Sequence, residues 1–317
     1  MSEDMKLISM DTIEETEVKW LWYPYIPAGK ITILQGDPGE GKTMLVLYLA
    51  ALLTQGLPLP EQERVSPPMT VIYQTAEDGL ADTIKPRLKS AYADCSRVVV
   101  IDDSTSPLSF SDSRIEQAIV QTGAGLLILD PLQAFLGAKV DMHRASEVRP
   151  AFRGLAGVAE RTGCAVLIIG HLNKLSGTKG IYRGLGSIDI PAVARSILYI
   201  GRASEDDKKR YLAQMKNSLA PIGDTLSFEL RDRLTYAGVS DYTAETLLSG
   251  SSNTFRPTKR GRVMEELAGM LGKEEMPCVN VYEHFKAKGI SARTVENAKQ
   301  ELGVKSVKRG GAWYWQR

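Results

Sequence analysis

Gly36-Asp37-Pro38-Gly39-Glu40-Gly41-Lys42-Thr43 fits the pattern GxxxxGK[ST] at every required position. Glycines at that spacing let a backbone wrap closely around phosphates, so that amide N–H groups from Gly36 to Met44 and the N-terminus of the following helix bind anionic oxygens. The ammonium of Lys42 then reaches the β- and γ-phosphates, and the Thr43 hydroxyl holds Mg²⁺. A second run, Gly125-Leu126-Leu127-Ile128-Leu129-Asp130, reads as a buried strand ending in an acid that positions the same metal. Pro131 follows it, so a base directly after this acid is missing. Glu77, in Thr75-Ala76-Glu77-Asp78-Gly79, is the candidate that orients and deprotonates an attacking water, whereas Asp78 suits the N-cap of a helix over Leu80–Asp94. His171, after Val166–Ile169 and Gly170, stands where a polar side chain can sense the γ-phosphate.

The elements that must hold these groups are legible as alternation. Apolar runs rich in β-branched residues at Ile31–Leu34, Val71–Tyr73, Val98–Ile101, Leu126–Leu129 and Val166–Ile169 are separated by segments of helical periodicity. That pattern predicts an α/β fold, a parallel sheet with helices on both faces whose carboxyl edge gathers ligands. From Arg195 onward, Ile197–Ile200, Tyr211–Met215, Leu226–Leu230 and Leu234–Ala237 are joined by turn residues and predict an antiparallel extension of the sheet. The polar stretch 249–257 reads as a linker between a domain over 1–248 and a module over 258–317.

That module begins with helical patterns at Val263–Leu271 and Val279–Lys288. Ser291 then caps a third helix ending near Leu302, and Val304–Lys308 and Ala312–Trp315 form a hairpin. Its order matches a winged helix, with Trp313 and Trp315 expected to pack the wing against the helices and Arg293, Lys299, Lys305, Lys308 and Arg309 to contact phosphates. The whole chain carries a net charge of +1, but residues 256–317 hold 13 Lys/Arg against 7 Asp/Glu, a surplus of +6 on a body of −5. A basic tail of this kind suits a polyanion. Three scattered cysteines, no cationic and apolar leader, and an apolar run from Met44 to Leu53 about half as long as a membrane span point to the cytoplasm. No primase, nuclease or metal-cluster signature stands beside the phosphate motif.

Taken together these residues resemble the RecA/DnaB-like ATPases, and most closely the branch of plasmid-type hexameric replicative helicases and related ATPases of phages and integrated elements. The likeness spans about Trp20 to Ala237. It rests on Tyr25-Ile26-Pro27-Ala28-Gly29-Lys30, the phosphate loop, Ala76-Glu77-Asp78, Leu129-Asp130-Pro131, Gly170-His171, and Gly184-Leu185-Gly186-Ser187 before Ala194-Arg195-Ser196. It implies a RecA-like core that binds ATP and Mg²⁺, rings of subunits that are often hexamers, ATP held between neighbours, and replication proteins as partners. It further implies that Lys174, Lys179 and Arg183 face single-stranded DNA, and that Arg87 lies near the nucleotide. The family's Lys-x-Arg pair, which reaches into the neighbour's ATP, reads Lys216-Asn217-Ser218 here. Lys216 matches, and Ser218 stands where the arginine is expected, with Arg195 and Arg202 as possible substitutes. The function implied is a DNA-associated, ring-forming ATPase acting as helicase or translocase; a KaiC-like nucleotide switch and a DNA-binding helicase loader are the alternatives.

Overall fold

The computed structural model describes residues 7–137, 140, 144–171, 192–203, 208–249, 259–271 and 275–316. The chain enters through a small antiparallel hairpin, β1 (Trp20–Trp22) and β2 (Ile26–Pro27). Trp22 is fully buried there, and its indole N–H donates to the Pro60 carbonyl at 2.9 Å. β3 (Ile31–Gly36) then leads into α1 (Lys42–Gln55). Next come β4 (Val71–Thr75), a wide turn over Leu80–Ile84 running into α2 (Lys85–Ser90), β5 (Val98–Val99) and α3 (Ser113–Thr122). β6 (Leu126–Asp130), α4 (Leu132–Phe135), α5 (Ala145–Thr162) and β7 (Ala165–His171) complete the parallel portion.

After β8 (Ser196–Gly201) come three further strands, β9 (Lys209–Asn217), β10 (Thr225–Leu230) and β11 (Leu234–Ser240), and then α6 (Ala244–Ser249). The nine strands β3 to β11 pair in the order β11-β10-β9-β8-β3-β7-β6-β4-β5. β3 with β7, β7 with β6, β6 with β4 and β4 with β5 are parallel, whereas β9, β10 and β11 pair antiparallel. Both expectations for the sheet therefore hold. Every residue of β3 and of β6 is buried, as strands covered on both faces must be.

Helices flank this sheet for readable reasons. In α5 the buried residues Val148, Phe152, Leu155 and Ala159 recur at helical spacing and join Ile33, Leu127, Leu129 and Ile168 in one hydrophobic cluster with Phe110 and Phe135. The Asp112 carboxylate accepts from the Arg114 amide at 2.9 Å and so starts α3. Two expectations fail locally. β5 stops at Val99 rather than Ile101, because the Gln74 amide side chain bonds the Ile101 N–H and C=O at 3.0 Å each and takes the place of ladder partners. Asp78 caps no helix: Gly79 occupies the cap of the turn starting at Leu80, and the Asp78 carboxylate pairs instead with Arg87 at 3.2 Å. The helix expected to reach Asp94 ends at Ser90.

By contact density the chain divides into two compact units, 1–198 with 215–222 and 199–214 with 223–317. Within the second, α7 (Lys259–Leu271), β12 (Met276–Pro277), α8 (Cys278–Ala287), α9 (Ala292–Glu301), β13 (Lys305–Arg309) and β14 (Ala312–Gln316) enclose a cluster of their own. Val263, Leu267, Val281, Phe285, Val295 and Trp315 form its centre. The Ser291 hydroxyl accepts from the Thr294 amide at 3.3 Å, the expected cap, and β12, β14 and β13 form a three-stranded sheet in that order. Trp315 packs as expected at 2% exposure, but Trp313 does not: it is 49% exposed. Among the described residues no helix is long and apolar enough to cross a membrane.

Candidate functional site

Parallel register decides which side chains can meet. Gly36 lies opposite His171, and Thr75 opposite Asp130, so the carboxyl ends of β3, β7, β4 and β6 share one edge of the sheet. The phosphate loop turns at that edge. Gly39 and Gly41 both have positive φ, at 79° and 88°, a conformation that costs a residue with a Cβ about 1–2 kcal/mol. Nothing lies within 4 Å of where a Cβ on Gly39 would be, so it is the backbone conformation rather than crowding that favours glycine there.

Lys42 is the first residue of α1 and only 5% exposed. Its ammonium donates to the carbonyls of Gly36 at 2.7 Å and Asp37 at 2.8 Å, which are neutral acceptors that phosphate oxygens can replace. Burial pushes its pKa down, and the charges of Asp130, Asp37, Glu40 and Glu77 oppose that shift.

The Thr43 hydroxyl donates to Asp130 Oδ2 at 3.0 Å, and the Tyr73 hydroxyl donates to the same oxygen at 3.0 Å. Burial raises the Asp130 pKa first of all; the two hydroxyl bonds lower it, and the charges of Glu77 and Asp78 raise it again. One hydroxyl and one carboxylate, with further acids close by, fit a Mg²⁺ ion that keeps waters and phosphate oxygens as its other ligands. A denser cage is absent: no group of three or more His, Cys, Asp or Glu that could hold a metal occurs among the described residues.

Glu77 is exposed, two residues beyond β4, and its charge is felt at both Lys42 and Asp130. Its placement is set by Thr75, whose hydroxyl accepts from the amides of Glu77 and Asp78 at 3.3 Å each. The structure thus brings together Gly36 to Met44, Asp130 and Glu77, and ties Arg87 to this corner through Asp78. His171 reaches the same edge by its backbone, while its side chain and the residues Lys174, Lys179 and Arg183 lie outside what is described.

Lys216 is not at this edge. Its ammonium donates to the Ala194 carbonyl at 2.8 Å, the Ser218 amide donates to the Arg195 carbonyl at 2.9 Å, and the Arg195 amide donates to the Ile31 carbonyl at 3.0 Å. Ile31 begins the strand that Gly36 ends, so Lys216 and Arg195 sit roughly 16 Å from the phosphate loop, at the opposite end of the sheet. Burial and then the neighbouring Arg195 charge lower the Lys216 pKa. Tyr73 and Thr75 are the site residues that sequence reasoning misses. Thr75 carries a signal, a hydroxyl two and three residues before a pair of acids at a strand end. Tyr73 carries none beyond its place in an apolar strand.

Over 66% of this chain and 57% of the other, the fold superposes with a TM-score of 0.51 and 17% identity on a structure described as a DnaB-like replicative helicase and its interactions with primase. Two curated relatives are called DNA repair protein RadA. That of Halalkalibacterium halodurans is 26% identical over 210 residues, 65% of this chain and 40% of the relative. That of Bacillus subtilis is 22% identical over 236 residues, 71% of this chain and 46% of the relative. The chain thus spans less than half the length of either RadA. The AAA domain family matches residues 3–177, which runs through the phosphate loop, Glu77, Asp130 and β7. With more than half of its length matched, this chain belongs to the AAA domain family, and its core is a P-loop ATPase core of the RecA and DnaB kind.

Proposed function

We propose that the protein hydrolyses Mg²⁺-ATP and couples turnover to DNA, as a ring-forming helicase or translocase of a phage, plasmid or integrated element working in the cytoplasm. The observation that carries the ATPase reading is the convergence of Lys42, Thr43 and Asp130 on one sheet edge, with the Thr43 hydroxyl 3.0 Å from the Asp130 carboxylate. Thr43 and Asp130 would hold Mg²⁺, which would supply positive charge to the triphosphate. Lys42 exchanges its two carbonyl partners for phosphate oxygens and follows the charge that develops as the terminal phosphate departs. Glu77 accepts the proton of the attacking water, and Thr75 fixes the turn that presents it.

The link to DNA rests on the basic C-terminal module, on Lys174, Lys179 and Arg183, and on the relatives' names. Helix, short strand, two helices and a hairpin in that order support a winged helix over 258–317. Arg293, Lys299, Lys305, Lys308 and Arg309 would then meet phosphates of duplex or single-stranded DNA. Assembly into a ring, a hexamer by resemblance, is the reading that gives a role to Lys216 and Arg195, which lie too far from their own phosphate loop to act there. In a head-to-tail assembly they would approach the next copy's triphosphate, where a cation of this kind is worth about 10³-fold or more in rate. Replication proteins are the partners this role would need.

The test is ATP turnover with and without single-stranded DNA, on wild type, Lys42→Ala and Glu77→Gln, alongside a sizing measurement. We expect DNA-stimulated turnover in an oligomer, abolished by either substitution, with Glu77→Gln still binding ATP. Turnover or ATP-dependent assembly indifferent to DNA would replace the motor with a nucleotide switch. DNA binding that survives Lys42→Ala without any turnover in wild type would make it a loader.

A further inference from the structure

Trp313 and Trp315 lie two residues apart on β14 and so share one face of the hairpin, yet one is 49% exposed and the other 2%. Trp315 closes the hydrophobic cluster of the C-terminal helices, with the Lys299 ammonium 4.6 Å from its ring centroid. Trp313 stands beyond that cluster, one residue from the turn at Gly310-Gly311, opposite Lys308 in register and with the Lys308 ammonium 5.8 Å from its ring centroid. No fold requirement places an indole there. A residue of ordinary strand propensity would complete the hairpin without leaving half of a large aromatic surface in water.

Its surroundings select the class of ligand. Arg309 is matched by Glu275 at 3.1 Å and Lys299 by Glu296 at 3.3 Å, whereas Lys305 and Lys308 have no carboxylate partner among the described residues. Lys308 lies across from Trp313 on the same face of the hairpin, whereas Lys305, three residues earlier on β13 and opposite Gln316, belongs to the other face. The hairpin therefore offers one unmatched cation beside the exposed indole and a second on its reverse face. In residues 259–271 and 275–316 the other large apolar side chain that is exposed is Val279, so the patch is far too small to dock a folded protein. An aromatic plane with a cation beside it suits a nucleic-acid single strand, in which phosphates alternate with bases whose faces are free to stack. In a duplex those faces are already covered by neighbouring base pairs.

We propose that Trp313 is a stacking platform for an unpaired base, with Lys308 on the adjoining phosphate and Lys305 adding to the basic charge of the hairpin, so that this hairpin holds single-stranded nucleic acid or the open end of a duplex. The assignment rests on the DNA-associated reading above and gives it a site and a strand preference. Trp313 lies outside the hydrophobic cluster, so its replacement leaves the module's core filled.

The experiment measures binding of the full chain to a labelled single strand, to the same strand bearing abasic sites, and to its blunt duplex. Wild type, Trp313→Ala, Trp313→Phe and the Lys305→Ala/Lys308→Ala pair are compared. Trp313→Ala is expected to weaken single-strand binding by roughly 5- to 100-fold while leaving its salt dependence unchanged, and Trp313→Phe to restore most of the loss. The abasic strand should bind wild type and Trp313→Ala alike. The lysine pair should weaken every ligand and flatten the salt dependence. Equal binding of intact and abasic strands by wild type, or single-strand affinity indifferent to Trp313→Ala, overturns the stacking site and leaves the DNA reading standing. Absence of binding to all three ligands overturns both.

Discussion

Asp130 shows how much of the chemistry rests on single atoms. Its Oδ2 accepts from both Thr43 and Tyr73, so the carboxylate is oriented by two hydroxyls from two different elements. Replacing Tyr73 with Phe keeps the buried ring and removes one of those bonds. We expect Tyr73→Phe to leave ATP affinity in EDTA within about twofold and to weaken the Mg²⁺-dependent part of binding several-fold, at a cost of about 1 kcal/mol in stability; titration calorimetry with and without Mg²⁺ reads both. A fall in melting temperature with no change in Mg²⁺ dependence would reduce Tyr73 to a packing residue. The same pair shows what a sequence discloses at this scale. The phosphate loop is contiguous, so its residues announce their own geometry. Tyr73 and Asp130 are 57 residues apart and meet only through strand register, and a tyrosine in an apolar strand is indistinguishable from core. Asp78 misleads for a related reason, since its partner Arg87 arrives from the next helix and wins over a local cap.

Elements obey more local rules and are correspondingly easier to read. All nine strands of the large sheet are visible as apolar runs, most plainly β6 and β8, in which every residue is buried, and least plainly β11, where exposed positions interrupt the run. The strands β1, β2 and β12 escape such a reading, being too short, at two or three residues, to show any period. Helix ends give a sharper test of the physics. Gly56 closes α1 at φ +70°, and a Cβ there would meet the Ser66 carbonyl at 2.6 Å, so Gly56→Ala should destabilise by about 1–3 kcal/mol. Gly154 is exposed within α5, with nothing within 4 Å of where its Cβ would stand, and Gly154→Ala should instead stabilise by about 0.5–1 kcal/mol. Thermal melts of the two variants must move in opposite directions.

Between α7 and α8, Glu266 accepts from Lys288 and from His284, the latter at 2.6 Å, and those bonds hold its carboxyl below its ordinary value of 4.5. A depressed folded-state pKa contributes stability above the unfolded value and loses it as pH falls through the folded one. Glu266→Gln should therefore lower stability slightly at neutral pH, by up to about 1 kcal/mol, and the gap from wild type should close as the pH drops below 4.5. Melting curves across that range decide it.

At the scale of the molecule, the nucleotide site and Lys216 occupy opposite ends of one sheet. If Lys216 serves a neighbour's nucleotide, the Lys42→Ala and Lys216→Ala proteins are defective in complementary halves of one catalytic unit. Each alone should turn over ATP poorly. An equimolar mixture should regain activity, because the phosphate loop of one variant meets the lysine of the other. Mixtures no more active than the mean of the two would place Lys216 outside catalysis. No residue pattern discloses this separation: likeness to the family singles out Lys216, and only the path from Lys216 through Ala194, Arg195 and Ile31 shows which end of the sheet it occupies.

A sheet with its phosphate loop at one end and Lys216 at the other has a head and a tail. Copies that join through unlike ends cannot satisfy one another as a mirror-like pair; they must close a circle or keep growing. In the proposed ring, the last member of any open stack would present a pocket that no lysine visits, so each open assembly would forfeit one productive seat whatever its length. Specific activity would then climb with protein concentration and level off when the seam is sealed, making closure itself the event that completes the enzyme.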